Sequence, residues 1–448
     1  MLSPKQASDR AHDLVERARR AGADAADAVY GANSSEGIQI RLGKLEDVER
    51  SESEHIALRV FIGHRSASIG SSDLSPQALD ELAARAIDMA RAAPEDSYAG
   101  LAPEELVAKG PWPNLDLTDD QGPIPQALRA MAEEAEEAAR AVAGVTNSDG
   151  ASASAGAGVF ALATSHGFAD GYESTSRSLS VSVVGGEGAG KQRDNAWRSA
   201  HHGSDLPPPA EIGRLAGERT VARLGSGRMK SGAMPVVFDP RVAGTLVGHA
   251  IGAMSGSAIA RRSSFLLDKL GERVFAPEIT VVEDPLAPRG LRSRPFDGEG
   301  LATCRRNLIE DGRITGWLLD SASARQLSMH PSGHAARHGG GAPGVSVGNV
   351  HLVAGSLSPA ELMADIKEGV YVTELIGQGV NGITGDYSRG AIGFRIVDGM
   401  IAGPVSEFTV AGNLLSMLAR LTPANDLEWY RAINVPTVRV EGMTVAGD

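Results

Sequence analysis

The sequence contains a single cysteine, Cys304, so no intrachain disulfide can form, and a lone thiol fits a reducing compartment. Aromatic residues make up only 4% of the chain, which leaves its cores to Ala, Val, Leu and Ile. No run of about 18 apolar residues occurs, so no segment reads as a membrane span. The opening MLSPKQASDRAHDLVERARR lacks the apolar centre of a secretory signal, and the expectation is a cytoplasmic protein. Net charge is −13 and no long Lys/Arg block is present. A nucleic-acid groove, which needs a clustered basic surface, is therefore not expected.

What is abundant is glycine, 54 residues, which points to many turns and close backbone contacts. At 448 residues the chain can bury large cores and form two or three domains. Residues 4–21 carry Ala7, Ala11, Leu14, Val15 and Ala18 on one helical stripe. Over 25–70 the pattern changes to alternation, in short strands with turns at Gly43 and Gly63. Helices follow at 76–92, capped by Ser75, and at 124–142, with a Pro-rich surface crossing from about 94 to 125 between them. Leu179, Val181 and Val183 mark a half-buried strand, and a helix at about 208–224 closes this half. Further on, Asp311-Gly312 and Asp398-Gly399 are hairpin turn signals. A strand is expected at 345–354 and short helices at 359–368 and 412–420. The fold class read from this pattern is α+β. An N-terminal domain, 1–225, places helices on a curved antiparallel sheet. A C-terminal domain, 232–448, holds a cleft in a mixed, strongly bent sheet.

The most informative stretch is 235–267, PVVFDPRVAGTLVGHAIGAMSGSAIARRSSFLL. Pro235–Phe238 reads as a buried strand. Asp239 is a good N-cap, and Pro240 suits the first helical position, where no N–H is needed. Val242, Leu246, Ile251 and Met254 predict a helix over 240–255. Gly244, Gly248, Ala250, Gly252, Ala253 and Gly256 give it a small-residue face, read as an inner face against which something packs closely. With the downstream SSFLLDKLGERVFAPEITVVEDP, this segment resembles the TldD/PmbA family of bacterial peptidases. The resemblance runs from about residue 10 to the C-terminus and is strongest at 244–275, 292–319 and 370–417.

That resemblance carries specific implications. In the TldD branch this helix bears His-Glu-x-x-x-His, whose histidines hold zinc while the glutamate acts as general base on a metal-activated water. Here Gly248 stands at the first histidine position, His249 at the glutamate and Ala253 at the second histidine. The C-terminal cysteine ligand of TldD-type chains has no counterpart in 421–448. The match is therefore to the PmbA (TldE) branch, the subunit without the metal motif. It implies no cofactor in this chain and zinc in a TldD-type paralogue. The implied partners are that paralogue, in a heterodimer or larger hetero-oligomer, and an unfolded or short peptide, with no nucleic acid and no membrane. Two alternatives stand beside it: a metal-independent peptide-binding or regulatory homodimer, and an autonomous hydrolase with a rebuilt site.

Individual residues bear on these readings. His249 is the one polar side chain among small ones on the helix; it is either a core-edge histidine or a contact to peptide or partner. Thr384-Gly385-Asp386-Tyr387-Ser388-Arg389 makes a poor core strand and suits a cleft wall offering backbone groups to an extended peptide. Asp386 with Arg389 could equally be a structural ion pair. His330, His334 and His338 could suggest a metal, but the glycines and Pro331 among them oppose a helix, so a polar cleft loop is expected. Cys304 has Arg305 and Arg306 beside it, of which a strand would turn at least one away. Gly185–Lys191 resembles a phosphate loop only superficially, since Gln192 replaces the Ser/Thr and no helix follows. The paired glutamates at 133–134 and 136–137 read as a solvated helix face.

Overall fold

The computed structural model describes residues 1–122, 124–337 and 339–448. The chain opens with α1 (Pro4–Arg20), started by a reciprocal cap: Ser3 Oγ accepts from the Gln6 N–H and the Gln6 side chain accepts from the Ser3 N–H. There follow β1 (Ala25–Arg41), β2 (Lys44–Ile62), β3 (Arg65–Ser71), α2 (Pro76–Ala92), α3 (Pro125–Arg140), β4 (Val145–Thr164), β5 (Ala169–Gly185), β6 (Gln192–Ala200) and α4 (Pro209–Ala222). The six strands form one antiparallel sheet in the order β3-β2-β1-β4-β5-β6. All four helices cover one face. Alanine-rich α1 and α2 pack on even-numbered residues of β1 and β2, including Ala28, Tyr30 and Leu58. The other half of that face takes α3 and α4 over Ile40, Ala153 and Val181.

The sequence predicts several short strands over 25–70; the structure merges them into long ones. The polar stretches Ser34–Glu36 and Ser53-Glu54 between them lie within the paired register. At Gly31 a Cβ would sit 2.5 Å from the His55 ring, so the small residue accommodates a neighbour across the strand. Gly43 and Gly63 do turn the chain, with φ of +72° and +55°. The glutamate face of α3 also differs from expectation. Glu136 is 1% exposed and accepts from the backbone N–H of Leu42 and Gly43, both at 2.7 Å. It holds the β1–β2 turn and is not solvated.

The second half contains β7 (Gly232–Phe238), α5 (Pro240–Ala253), α6 (Gly256–Ala260), β8 (Val281–Asp284), β9 (Arg306–Glu310), β10 (Arg313–Ile314), α7 (Ser321–Gln326), β11 (Ala335–Ala336), β12 (Gly344–Val345), β13 (Asn349–Leu352), α8 (Pro359–Met363), β14 (Glu368–Ile376), β15 (Asp386–Val397), β16 (Met400–Asn413), α9 (Leu414–Leu418), β17 (Leu421–Pro423), β18 (Ile433–Asn434) and β19 (Val438–Ala446). Its main sheet runs β16-β15-β14-β7-β19-β17. β7 and β14 are parallel, and β16 also pairs with β19, so the bent sheet closes on itself like a barrel. Both Asp-Gly turns form, with positive φ at Asp311, Gly312, Asp398 and Gly399. The fold is thus α+β, with a helix-covered antiparallel sheet followed by a closed mixed sheet.

The Pro-rich crossing is more than a surface strap. Leu101, Ala102, Leu115 and Leu117 are buried along it. Trp112 packs 5.4 Å from Phe296, ring to ring, and donates to Asp170. Arg325 anchors the same crossing through the carbonyls of Tyr98, Gly100 and Leu101. The helix-free face of the first sheet thereby joins the second half through Phe160, Phe168, Tyr172 and Phe296.

Candidate functional site

Helix α5 forms where its caps dictate. Asp239 accepts from the Arg241 N–H at 2.8 Å, Pro240 occupies the first turn, and the Asp239 N–H ties back to Val372 of β14. Val242, Ala243, Leu246, Val247, Ala250 and Ala253 face the core. The glycines do not share that face. Gly244, Gly248 and Gly252 repeat every four residues on the outer side. A Cβ would meet only Ile433 at Gly244 and Gly248, at 3.4 and 4.0 Å, and nothing at Gly252. The expected tight inner packing occurs only at Gly256, past the helix end, where a Cβ would lie 2.4 Å from Leu319. Larger apolar residues fill the buried side, Ile433 covers the stripe at Gly244 and Gly248 in ordinary contact, and a shallow track is left only at its exposed Gly252 end.

His249 lies half-buried beside this stripe, and β15 brings Tyr387 to it. Their rings meet edge to face, with centroids 6.2 Å apart at 75°. Tyr387 is 1% exposed. His249 Nε2 and the Tyr387 hydroxyl are both buried without a hydrogen-bond partner among the described residues, as is Arg389 Nε. Buried polar atoms are normally paired, so three such atoms in one place are unusual. Burial, and secondarily the charge of Arg389, hold the His249 pKa below its ordinary 6.5. Burial pushes the Tyr387 hydroxyl up to about 12 despite Arg389. Both groups are neutral at pH 7.

The rest of 384–389 is a turn feeding β15. Gly385 adopts φ +79°, Thr384 Oγ1 donates to Asp386 at 2.7 Å, and Asn413 Nδ2 donates to the Thr384 carbonyl at 2.9 Å. Hydrogen bonds from Thr384 and Asn413 hold the Asp386 carboxyl below its ordinary range. Asp386 and Arg389 do not form the ion pair weighed as one alternative; the Arg389 guanidinium reaches the Leu375 carbonyl instead. The backbone of the segment is already engaged. β15 pairs with β16 on one side, while Ser388 N–H donates to Gly379 and the Asp386 carbonyl accepts from Asn381 on the other. What the segment offers is therefore side chains: Tyr387 and Arg389 towards α5, Ser388 towards solvent. An open cleft of about 690 Å³ lies beyond Tyr387, bordered by the exposed Ile383.

The histidine cluster does not assemble as a metal site. His334 is 2% exposed and structural, with Nε2 2.7 Å from Glu283 and Nδ1 2.7 Å from Ser332. His330 is exposed, and His338 lies outside the described residues. His334 is thus not in the polar cleft loop expected from sequence; pairing with Glu283 draws it into the core. Cys304 is exposed, with Arg306 donating to its Sγ at 3.0 Å while Arg305 turns to Asp284. The glycine run after β5 leads through a short turn into strand β6, not a helix. Among the described residues no three His, Cys, Asp or Glu side chains gather as a metal site. On α5 itself the donor set is His249 alone, which does not fit a zinc centre.

One feature has no local sequence signal. Arginines from β6, α4, α5, β15 and the approach to β18 converge on a cavity beside the first turns of α5.

Comparison with known proteins agrees with this architecture. Three family models match: PmbA/TldA metallopeptidase domain 1 at residues 26–90, the central domain at 119–224 and the C-terminal domain at 231–447. The chain is 38% identical to "Metalloprotease PmbA" of Escherichia coli over 95% of its own length and 92% of that protein. It is 34% identical to the Haemophilus influenzae PmbA homolog over 97% and 94% of the two chains. In structure it superposes on TldE from Thermococcus kodakarensis with a TM-score of 0.86, at 20% identity over 97% and 99% of the chains, a likeness of fold. The complete domain set and the level of identity to the PmbA proteins make this chain a member of the PmbA/TldD metallopeptidase family, in its PmbA branch.

Proposed function

We propose that this chain is the non-zinc subunit of a cytoplasmic peptidase complex, working with a zinc-bearing TldD-type paralogue on unfolded or short peptides. The observation that carries the reading is the residue set of α5. Gly248 and Ala253 stand where the TldD branch has its zinc-binding histidines, and their side chains cannot ligate. The open Gly252 end of the glycine stripe can still take part of an extended chain. His249, Tyr387 and Arg389 lie beside that end with buried polar atoms that have no partner among the described residues. In this reading the N-terminal region, 1–225, supports the C-terminal region, 232–448, and Gly248, His249, Gly252 and residues 384–389 form one wall of a chamber, with Ala253 turned to the core behind it. The paralogue supplies the metal-activated water, and the present chain positions the peptide. The test is reconstitution: hydrolysis of an unstructured peptide by the chain alone, by the paralogue alone and by the mixture, with metal content measured on each. Activity that requires both chains supports the proposal. Chelator-insensitive hydrolysis by this chain alone, lost in His249→Ala or Cys304→Ser, overturns it in favour of an autonomous hydrolase.

A further inference from the structure

The cavity beside α5 has a volume of about 320 Å³ and is walled by opposing parts of the fold. Its carboxylates are already satisfied. Asp194, 5% exposed, is held by Arg223 at 3.3 Å and Arg241 at 2.9 Å. Glu374 is held by Arg223 at 2.7 Å. Three further arginines line the same space with no carboxylate within 4.0 Å among the described residues: Arg219 of α4, Arg389 of β15 and Arg431 ahead of β18. This surplus of positive charge occurs in a chain whose net charge is −13.

The three groups are built in, not merely exposed. Arg431 stacks over both Trp197 and Tyr430, 4.9 Å from each ring centre, and its Nε is buried without a partner. Arg389 is tethered through the Leu375 carbonyl, and its Nε is likewise unpaired. Arg219 is held by the Asn195 carbonyl, and burial, with Arg241 beside it, keeps its pKa below the ordinary value. Guanidinium groups fixed in this way match a carboxylate, which can accept two parallel N–H bonds.

Position gives the ligand its class. Thr245 lines the cavity, and His249 is one helical turn further along α5; Arg389 lines it, and Tyr387 is two residues back along β15. The cavity therefore lies about 6 Å from the His249–Tyr387 pair along both elements, and the open cleft begins at Tyr387 itself. We infer that the Arg219–Arg389–Arg431 cavity binds a carboxylate of the peptide lying along α5, contributed by the chain terminus or by an acidic side chain. This inference rests on the proposed peptide-holding role of α5.

The test titrates the purified full-length chain and follows Trp197 fluorescence, with Trp197→Phe identifying the signal. The probes are a neutral six-residue peptide with a free C-terminus, the same peptide amidated, the amidated peptide carrying one internal Glu, and inorganic phosphate. The free acid or the Glu peptide should bind about tenfold or more tightly than the neutral amide, and whichever does so identifies the source of the carboxylate. Arg389→Gln and Arg431→Gln should each abolish that preference. The comparison between peptides on the unaltered chain stands even if a variant fails to fold. Equal binding of all three peptides, no binding at all, or phosphate binding as tightly as the preferred peptide would overturn the inference. The readout needs neither the paralogue nor zinc. A carboxylate preference with no gain of activity on reconstitution refutes the two-chain reading alone, and joint activity without the preference refutes this one alone.

Discussion

The imidazole of His249 meets the buried ring of Tyr387 edge to face at 6.2 Å, and neither polar end has a partner among the described residues. An unpaired buried hydroxyl costs about 1–3 kcal/mol. Tyr387→Phe should therefore leave the free chain as stable as before, or stabilise it by up to about 1–3 kcal/mol, while lowering activity of the reconstituted complex. Urea unfolding paired with the peptide assay checks both halves. A large loss of stability would show that the hydroxyl is structurally bonded.

His249 should titrate below 6.5. Burial and Arg389 both disfavour its charged form, so the folded chain resists protonation, and this contribution to stability is lost as pH falls through 6.5. Arg389→Gln removes the smaller cause and should raise the pKa part of the way back. An NMR titration, assigned by comparison with His249→Gln, measures it.

The Glu283–His334 pair contributes to acid stability. Burial opposes ionisation of Glu283, but the bond and charge of His334, the Gly348 N–H and Arg306 hold its carboxyl below 4.5. A folded pKa below the unfolded one gives stability that is fully present above about 4.5 and lost as pH falls through the folded value. Glu283→Gln should flatten the acid limb of the stability curve. His334→Ala removes one hydrogen bond from a buried carboxylate that keeps the Gly348 N–H and should cost about 1–3 kcal/mol.

Gly252→Leu separates surface from fold. No atom lies within 4 Å of a Cβ there, so the melting temperature should not fall. Activity in the reconstituted complex should drop, because the side chain stands in the proposed track. Cys304→Ser, on an exposed thiol, should change neither.

The helices of the first half were legible because each carries local signals: Ser75 before Pro76, the stripe Ala7–Ala11–Leu14, the Pro at each start. The strands at 25–70 read too short from sequence because polar Ser34-Ser35-Glu36 and Ser53-Glu54 interrupt the alternation, and only the partner strands reveal them as paired. The α5 glycines were assigned to the wrong face for a similar reason. A four-residue repeat defines a stripe but not what lies against it. Glu136, His334 and the arginine cavity depend on partners about 50 to 200 residues away, beyond the reach of local pattern. His249 and the 384–389 segment were each singled out by composition, and the fold supplied the fact that Tyr387 stands against His249.

The central claim is the division of labour between this chain and a zinc-bearing paralogue. The most direct measurement is zinc per chain and peptide hydrolysis for each purified chain and for the co-purified complex. The account expects no stoichiometric zinc and no hydrolysis from this chain alone, about one zinc per paralogue, and chelator-sensitive activity that needs both. About one zinc bound to this chain after dialysis, or peptide hydrolysis by it without the paralogue, would contradict the account.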